Sequence, residues 1–174
     1  MKDGNGKTAY RNTPARRVAT LALLAALALI FSYVESLLPS PGLPGVKLGI
    51  ANIVVVIVLY RFSAAEAAGV NALRIALAGF LFTGLFGALY SAAGAALSLA
   101  GMVLLKKTGH FSMAGVSMAG GVLHNLGQLA VAAILIEDLQ IFYYFPILLF
   151  SGIACGILTG IIATLVERKL PKNL

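Results

Sequence analysis

Few side chains in this 174-residue sequence can do chemistry, and most of those that can sit inside long apolar runs. Arg74 lies ten residues into one run, with Asn71 one helical turn before it. A guanidinium presents a planar fork of donors that matches a carboxylate or phosphate. Its alternative role is structural, with the charge held by helix carbonyls or by Glu66 at the start of the run. His124, Asn125 and Gln128 form a second group. His124 and Gln128 are one turn apart and Asn125 is three residues before Gln128, a spacing that lets all three point into a helix bundle. They read either as an interhelical hydrogen-bond network or as ligand contacts. Asn52, Tyr90 and Ser91 interrupt two further runs, and Glu35 and Lys47 flank the Pro39–Gly45 segment.

The same inventory argues against several chemistries. The phosphate-cradling G-x-x-x-x-G-K-[ST] pattern is missing, which argues against ATP hydrolysis by that route. The six acidic residues, Asp3, Glu35, Glu66, Glu137, Asp138 and Glu167, form no Asp-rich diphosphate motif. No nucleophile, base and orienting acid coincide at one depth, so the expectation is that the chain is not an enzyme. His124 stands alone and His110 falls in a loop, so neither a metal nor a cofactor is expected. Cys155 is the only cysteine, leaving no intrachain disulfide, and it reads as a small packing residue.

Positioning these residues falls to hydrophobic helices. The sequence is 60% hydrophobic and 11% charged, too few charges to cover a water-facing surface, so its exterior is expected to face lipid. Turn-like breaks divide it into spans at Val18–Leu38, Val46–Tyr60, Ala64–Phe82, Leu85–Leu105, Ser112–Ile136 and Ile141–Val166. A crossing takes about 20 residues, so the second span is short. It either sits in a thinned bilayer or is preceded by a Pro/Gly segment that dips into the membrane. The first span lacks a signal-peptide cleavage site and reads as a retained helix.

The net charge of +7 invites a nucleic-acid reading, but eight of the 13 Lys and Arg lie before the first span or after the last. With the N-terminus inside, eleven basic residues face the cytoplasm and Lys47 alone faces out. That bias orients the chain in the cell membrane as a multi-pass protein. The expected fold is therefore an all-α bundle of about six transmembrane helices with both termini cytoplasmic. Residues 1–15 form a basic tail, 16–168 the transmembrane domain and 169–174 a short tail. Small residues recur on single helix faces at Gly152, Gly156 and Gly160, at Gly87, Gly94 and Gly101, and at Ala22 and Ala26. Such stripes let backbones approach closely, within the protein or against a partner. Intramembrane polar residues gather toward the outer leaflet, as expected for a pocket that opens outward under a Pro39–Gly45 lid.

Arg16-Arg17-Val18-Ala19, leading into the Leu/Ala-rich first span, resembles the opening of S components of energy-coupling-factor transporters. Pro44-Gly45-Val46-Lys47-Leu48-Gly49-Ile50-Ala51-Asn52 and His124-Asn125-Leu126-Gly127-Gln128 resemble the Gx transporter family, also called heptaprenyl diphosphate synthase component I. The resemblance runs from about Arg16 to Arg168. It implies a six-helix subunit that binds a small solute and works with a membrane T component and two ATPase subunits. Ala22 and Ala26 match the stripe that meets the T component. An accessory role in an isoprenoid, quinone or extracellular electron-transfer system is the alternative that the second family name implies.

The charge bias fixes an orientation that whole-cell labelling tests. In a Cys155→Ala background, a cysteine replacing Gln140 should react with a membrane-impermeant thiol reagent. One replacing Thr108 should not, and labelling at Thr108 in intact cells would reverse the orientation.

Overall fold

A computed structural model describes residues 13–37 and 49–170. Within them every long element is helical: α1 (Pro14–Leu37), α2 (Ile50–Arg61), α3 (Ala64–Ala78), α4 (Gly84–Thr108), α5 (Met113–Ile136) and α6 (Phe145–Lys169). The Pro39–Gly45 segment and Lys47 lie outside the described residues.

Local chemistry sets the helix ends. Pro14 occupies the first turn of α1, where its missing N–H costs nothing, and Thr13 Oγ1 accepts from Arg16 N at 3.4 Å. Ser63 accepts from Glu66 N at 3.2 Å, the N-cap bond that starts α3, and its hydroxyl donates to Glu66 Oε2 at 2.7 Å. Ser112 caps α5 through Gly115 N. Between α3 and α4 the chain runs through a π-helical turn at Gly79–Thr83 and then Gly84 at φ 69°. Only glycine adopts that conformation freely. A Cβ on Gly79 would lie 2.7 Å from that of Ala88, whereas nine residues of straight helix would separate them by about 14 Å. The chain therefore turns back on itself here.

Among the described residues, four helical stretches are long and apolar enough to cross a membrane: Pro14–Leu37, Ala64–Thr108, Met113–Ile136 and Leu139–Lys169. Ala64–Thr108, at 45 residues, contains the reversal at Gly84. The protein is an all-helical membrane protein, with exposed Val18, Leu23, Phe80, Leu85, Phe150 and Leu165 on its outer surface. The last expected span began at Ile141, but a 3-10 turn at Leu139–Tyr144, capped by Asp138, comes first and α6 starts at Phe145.

The short α2 is the core rather than a lipid-facing span. Val54 through Leu59 are all 5% exposed or less. Apolar residues on every side of a helix suit lipid or protein alike, and here protein supplies the contact, since α2 packs against α1, α3 and α6. One end is tied down by polar contacts. Arg61 pairs with Glu167 of α6 at 2.9 Å, and Lys106 of α4 donates to the Leu59 carbonyl at 2.5 Å. Beside them Arg17 of α1 grips Glu66 of α3 with two bonds of 2.6 and 2.8 Å.

Glycines join α4, α5 and α6. Gly152 and Gly156 meet the α5 backbone at Gly121, Val122, Ser117 and Met118, and Gly160 meets Ala114. Gly94 faces His124 and Gln128, while Gly101 faces Leu123. Gly87 differs, lying over Thr83 one turn back. The α1 stripe also differs: Ala25 and Ala28 are buried, while Ala22 and Ala26 are exposed.

A Cβ on Gly156 would sit 2.7 Å from the Met118 Cα and the Ser117 carbonyl, which are backbone atoms that cannot swing aside. Gly156→Ala should therefore cost about 1–3 kcal/mol through overpacking. Gly69 on α3 has open space around it, so Gly69→Ala should change stability by no more than about 0.5 kcal/mol or stabilise. Thermal unfolding in detergent distinguishes the two.

Candidate functional site

The site exists because α2 is short. Twelve residues rise about 18 Å, half the length of the 24- and 25-residue helices around it. A cavity of about 40 Å3 lies beside the N-terminal half of α2. Gly49, Ala51, Asn52 and Val56 line it from α2 and the residue before it, Glu35 from α1, and Arg74 from α3. The fourth helix adds Ser91, Ser98 and Met102, and α5 adds Ser117, Gly120, Gly121, His124 and Asn125. Gly152, Cys155, Gly156 and Thr159 complete the wall from α6.

Arg74 is only 8% exposed, and its guanidinium is held from two helices. Nε and Nη2 donate to Asn71 Oδ1 at 3.1 and 2.7 Å, and Nη1 donates to Ser32 Oγ of α1 at 3.0 Å. The three-residue spacing places Asn71 directly under the guanidinium, so the two share one face of α3. Glu66, the alternative partner, is instead engaged by Arg17 and Ser63. Neither of the groups that hold Arg74 carries a charge.

Glu35 approaches the cavity from the last turn of α1. Its Oε1 accepts from Gly49 N and from Ile50 N, the latter at 3.1 Å, at the start of α2. Free N–H groups and the positive helix end favour a carboxylate there. Gly49 itself holds φ 71°.

On α5, Asn125 donates to the Leu148 carbonyl at 2.8 Å, which fixes α5 against the first turn of α6. Gly94 allows α4 to approach His124, since a Cβ there would lie 2.8 Å from the His124 carbonyl. Gln128 is buried beside it, its Oε1 without a hydrogen-bond partner among the described residues. Six sequence candidates thus share one cavity: Glu35, Asn52, Arg74, Ser91, His124 and Asn125. Asn71 stands behind Arg74, Gln128 lies one turn beyond His124, and half-buried Tyr90 is off the wall.

The cavity also reaches Ser98, Ser117 and Thr159, which the sequence did not single out. Single hydroxyls are ordinary in membrane helices, so their type carries no signal. Their placement among glycines does: Gly120 lies next to Ser98, and Gly160 next to Ser117. Cys155, expected to be a packing residue, is half-buried on the wall.

Residues 24–166 match the family model for heptaprenyl diphosphate synthase component I. The chain belongs to this family. No curated protein and no solved structure gives a significant match. The family match spans every cavity-lining residue, from Glu35 to Thr159.

The Arg74 network sets an order of effects. Asn71→Leu removes two guanidinium bonds and should destabilise by about 1–3 kcal/mol. Ser32→Ala removes one and should cost less. Equal effects in thermal unfolding would show that Asn71 does not anchor the guanidinium.

Proposed function

We propose that the protein is a solute-binding subunit of a transport system in the cell membrane, not an enzyme, and that the cavity between α1 and α6 is its binding site. The observation that carries this reading is the buried Arg74 on the wall of a polar cavity inside an otherwise apolar bundle. An ionisable group in a membrane interior is costly and marks a functional site by default. Arg74 supplies the positive charge for an anionic group on the solute, with Asn52, Ser91, His124 and Asn125 orienting it. Asn71 and Gln128 support these from behind.

The carboxylates favour binding over chemistry. Glu66 and Glu167 serve ion pairs, Glu35 holds the start of α2, and Asp138 caps a turn. Isoprenyl elongation calls for carboxylates that hold a magnesium diphosphate. Energy for uptake would come from a T component and ATPase subunits. The exposed Ala22 and Ala26 face of α1 supports such a contact, because small residues admit a close-packed helix. The family name favours a second reading, a non-catalytic membrane component of an isoprenoid- or quinone-related assembly.

Native mass spectrometry of the protein purified from its own membrane tests the binding role. A co-purified small molecule is expected, with retention falling from wild type to Arg74→Lys to Arg74→Gln. Loss of the charge should cost about 2–5 kcal/mol of binding. If Arg74→Gln destabilises the protein while the folded fraction retains the same solute, Arg74 is structural and the assignment falls. Ala22→Leu with Ala26→Leu should abolish co-purification of a T component and spare solute binding. An unaffected complex would remove that face from the interface.

A further inference from the structure

The cavity wall is amphoteric, and this narrows what it can hold. Among the described residues it carries one cation, Arg74, and one anion, Glu35, and the two form no direct ion pair. Each retains unused capacity. A guanidinium has five N–H donors, and Asn71 and Ser32 take three of those on Arg74. Both backbone donors at the start of α2 go to Glu35 Oε1, so Oε2 has no partner among the described residues.

Charge balance then selects the solute. Counting only the described wall charges, a simple anion on Arg74 would leave the Glu35 carboxylate uncompensated. A charge left unpaired in a partly buried site of a membrane protein is unfavourable. A solute that carries its own positive group leaves the filled site neutral and gives both wall charges a partner. Resting on the binding-site reading above, we propose that the cavity takes a zwitterionic solute, its carboxylate or phosphate on Arg74 and its ammonium or other cationic N–H group on Glu35 Oε2. Uncharged groups on the same wall, Asn125 Oδ1 and the hydroxyls of Ser98 and Ser117, hydrogen-bond the portion between or beside these ends. All three residues are at most 6% exposed, and those atoms have no hydrogen-bond partner among the described residues.

The test uses the full-length protein purified in detergent, with thermal shift followed by calorimetry. The probes are α- and ω-amino acids, and each hit is compared with its deaminated acid. At least one amino acid should stabilise the wild type, with its deaminated acid weaker by about thirtyfold or more. Glu35→Gln should weaken the amino acid to the level of the acid, whereas Arg74→Gln should weaken both. The zwitterion assignment is overturned by a deaminated acid that binds as tightly as its parent, by an unchanged affinity in Glu35→Gln, or by no response to any amino acid. The comparison of parent with acid is made on wild-type protein, so it stands even where a variant does not fold. An acid that binds through Arg74 without the Glu35 preference would leave the solute site intact. Loss of the Arg74 dependence of the co-purified solute would remove that site itself.

Discussion

A guanidinium buried among membrane helices must have its hydrogen bonds supplied by the protein, and much of this bundle is arranged around meeting that demand for Arg74. Its partners come from its own helix, through Asn71, and from α1, through Ser32. That contact fixes α1 against α3 at the depth where the cavity forms. Glu35, three residues after Ser32 on α1, then falls on the cavity wall and reaches the start of α2. One buried charge thereby sets the relative positions of three helices. Among the described residues, the hydrogen bonds of this guanidinium all go to neutral groups, Asn71 and Ser32, and Glu35 is the charged group that shares its cavity.

The two halves of the bundle use different physics. Around α2, cohesion comes from branched aliphatic side chains from Val54 to Val58, with Ala25, Ala28, Ala67, Val70, Met102 and Val116 filling the spaces between. Between α4, α5 and α6 it comes from the absence of side chains, since Gly94, Gly152 and Gly156 bring backbones into contact. Lipid offers no hydrophobic drive to join helices, so close van der Waals packing must supply it. Glycine contacts also leave no side chain to fill the space next to α2. Gly120, Gly121, Gly152 and Gly156 are accordingly cavity residues as well as contact residues. The packing and the cavity are built from the same positions.

Much of this was legible in the residues. Breaks at Ser63, Gly84 and Ser112 mark real helix boundaries because capping and left-handed backbone are local properties. The polar residues inside apolar runs led to the cavity because hydrocarbon tolerates few of them. What escaped was tertiary. The second run's shortness was visible, but not that it would be enclosed on every side, since apolarity reads the same against lipid as against protein. The hydroxyls of Ser98, Ser117 and Thr159 were hidden for a related reason: their role follows from which neighbours lack side chains. Gly152, Gly156 and Gly160 read correctly as a contact face, yet the sequence did not say that α5 was the partner.

The family name and the arrangement of charge meet at one question, whether this membrane component does chemistry or holds a molecule. Chemistry on a diphosphate requires carboxylates brought together around a metal. Here Glu66 turns toward Arg17, Glu167 toward Arg61 and Glu35 toward the start of α2. Among the described carboxylates only Glu137 and Asp138 are neighbours, in the turn after α5, away from the cavity wall. Glu35 alone reaches the cavity, and there it stands opposite a cation rather than beside another acid. Opposed single charges make a poor metal site, and they suit the dipolar solute proposed above, whose two ends would each find a complement. The buried polar atoms on the remaining wall serve the same end. They offer hydrogen bonds that only an occupant, or water in its place, can complete.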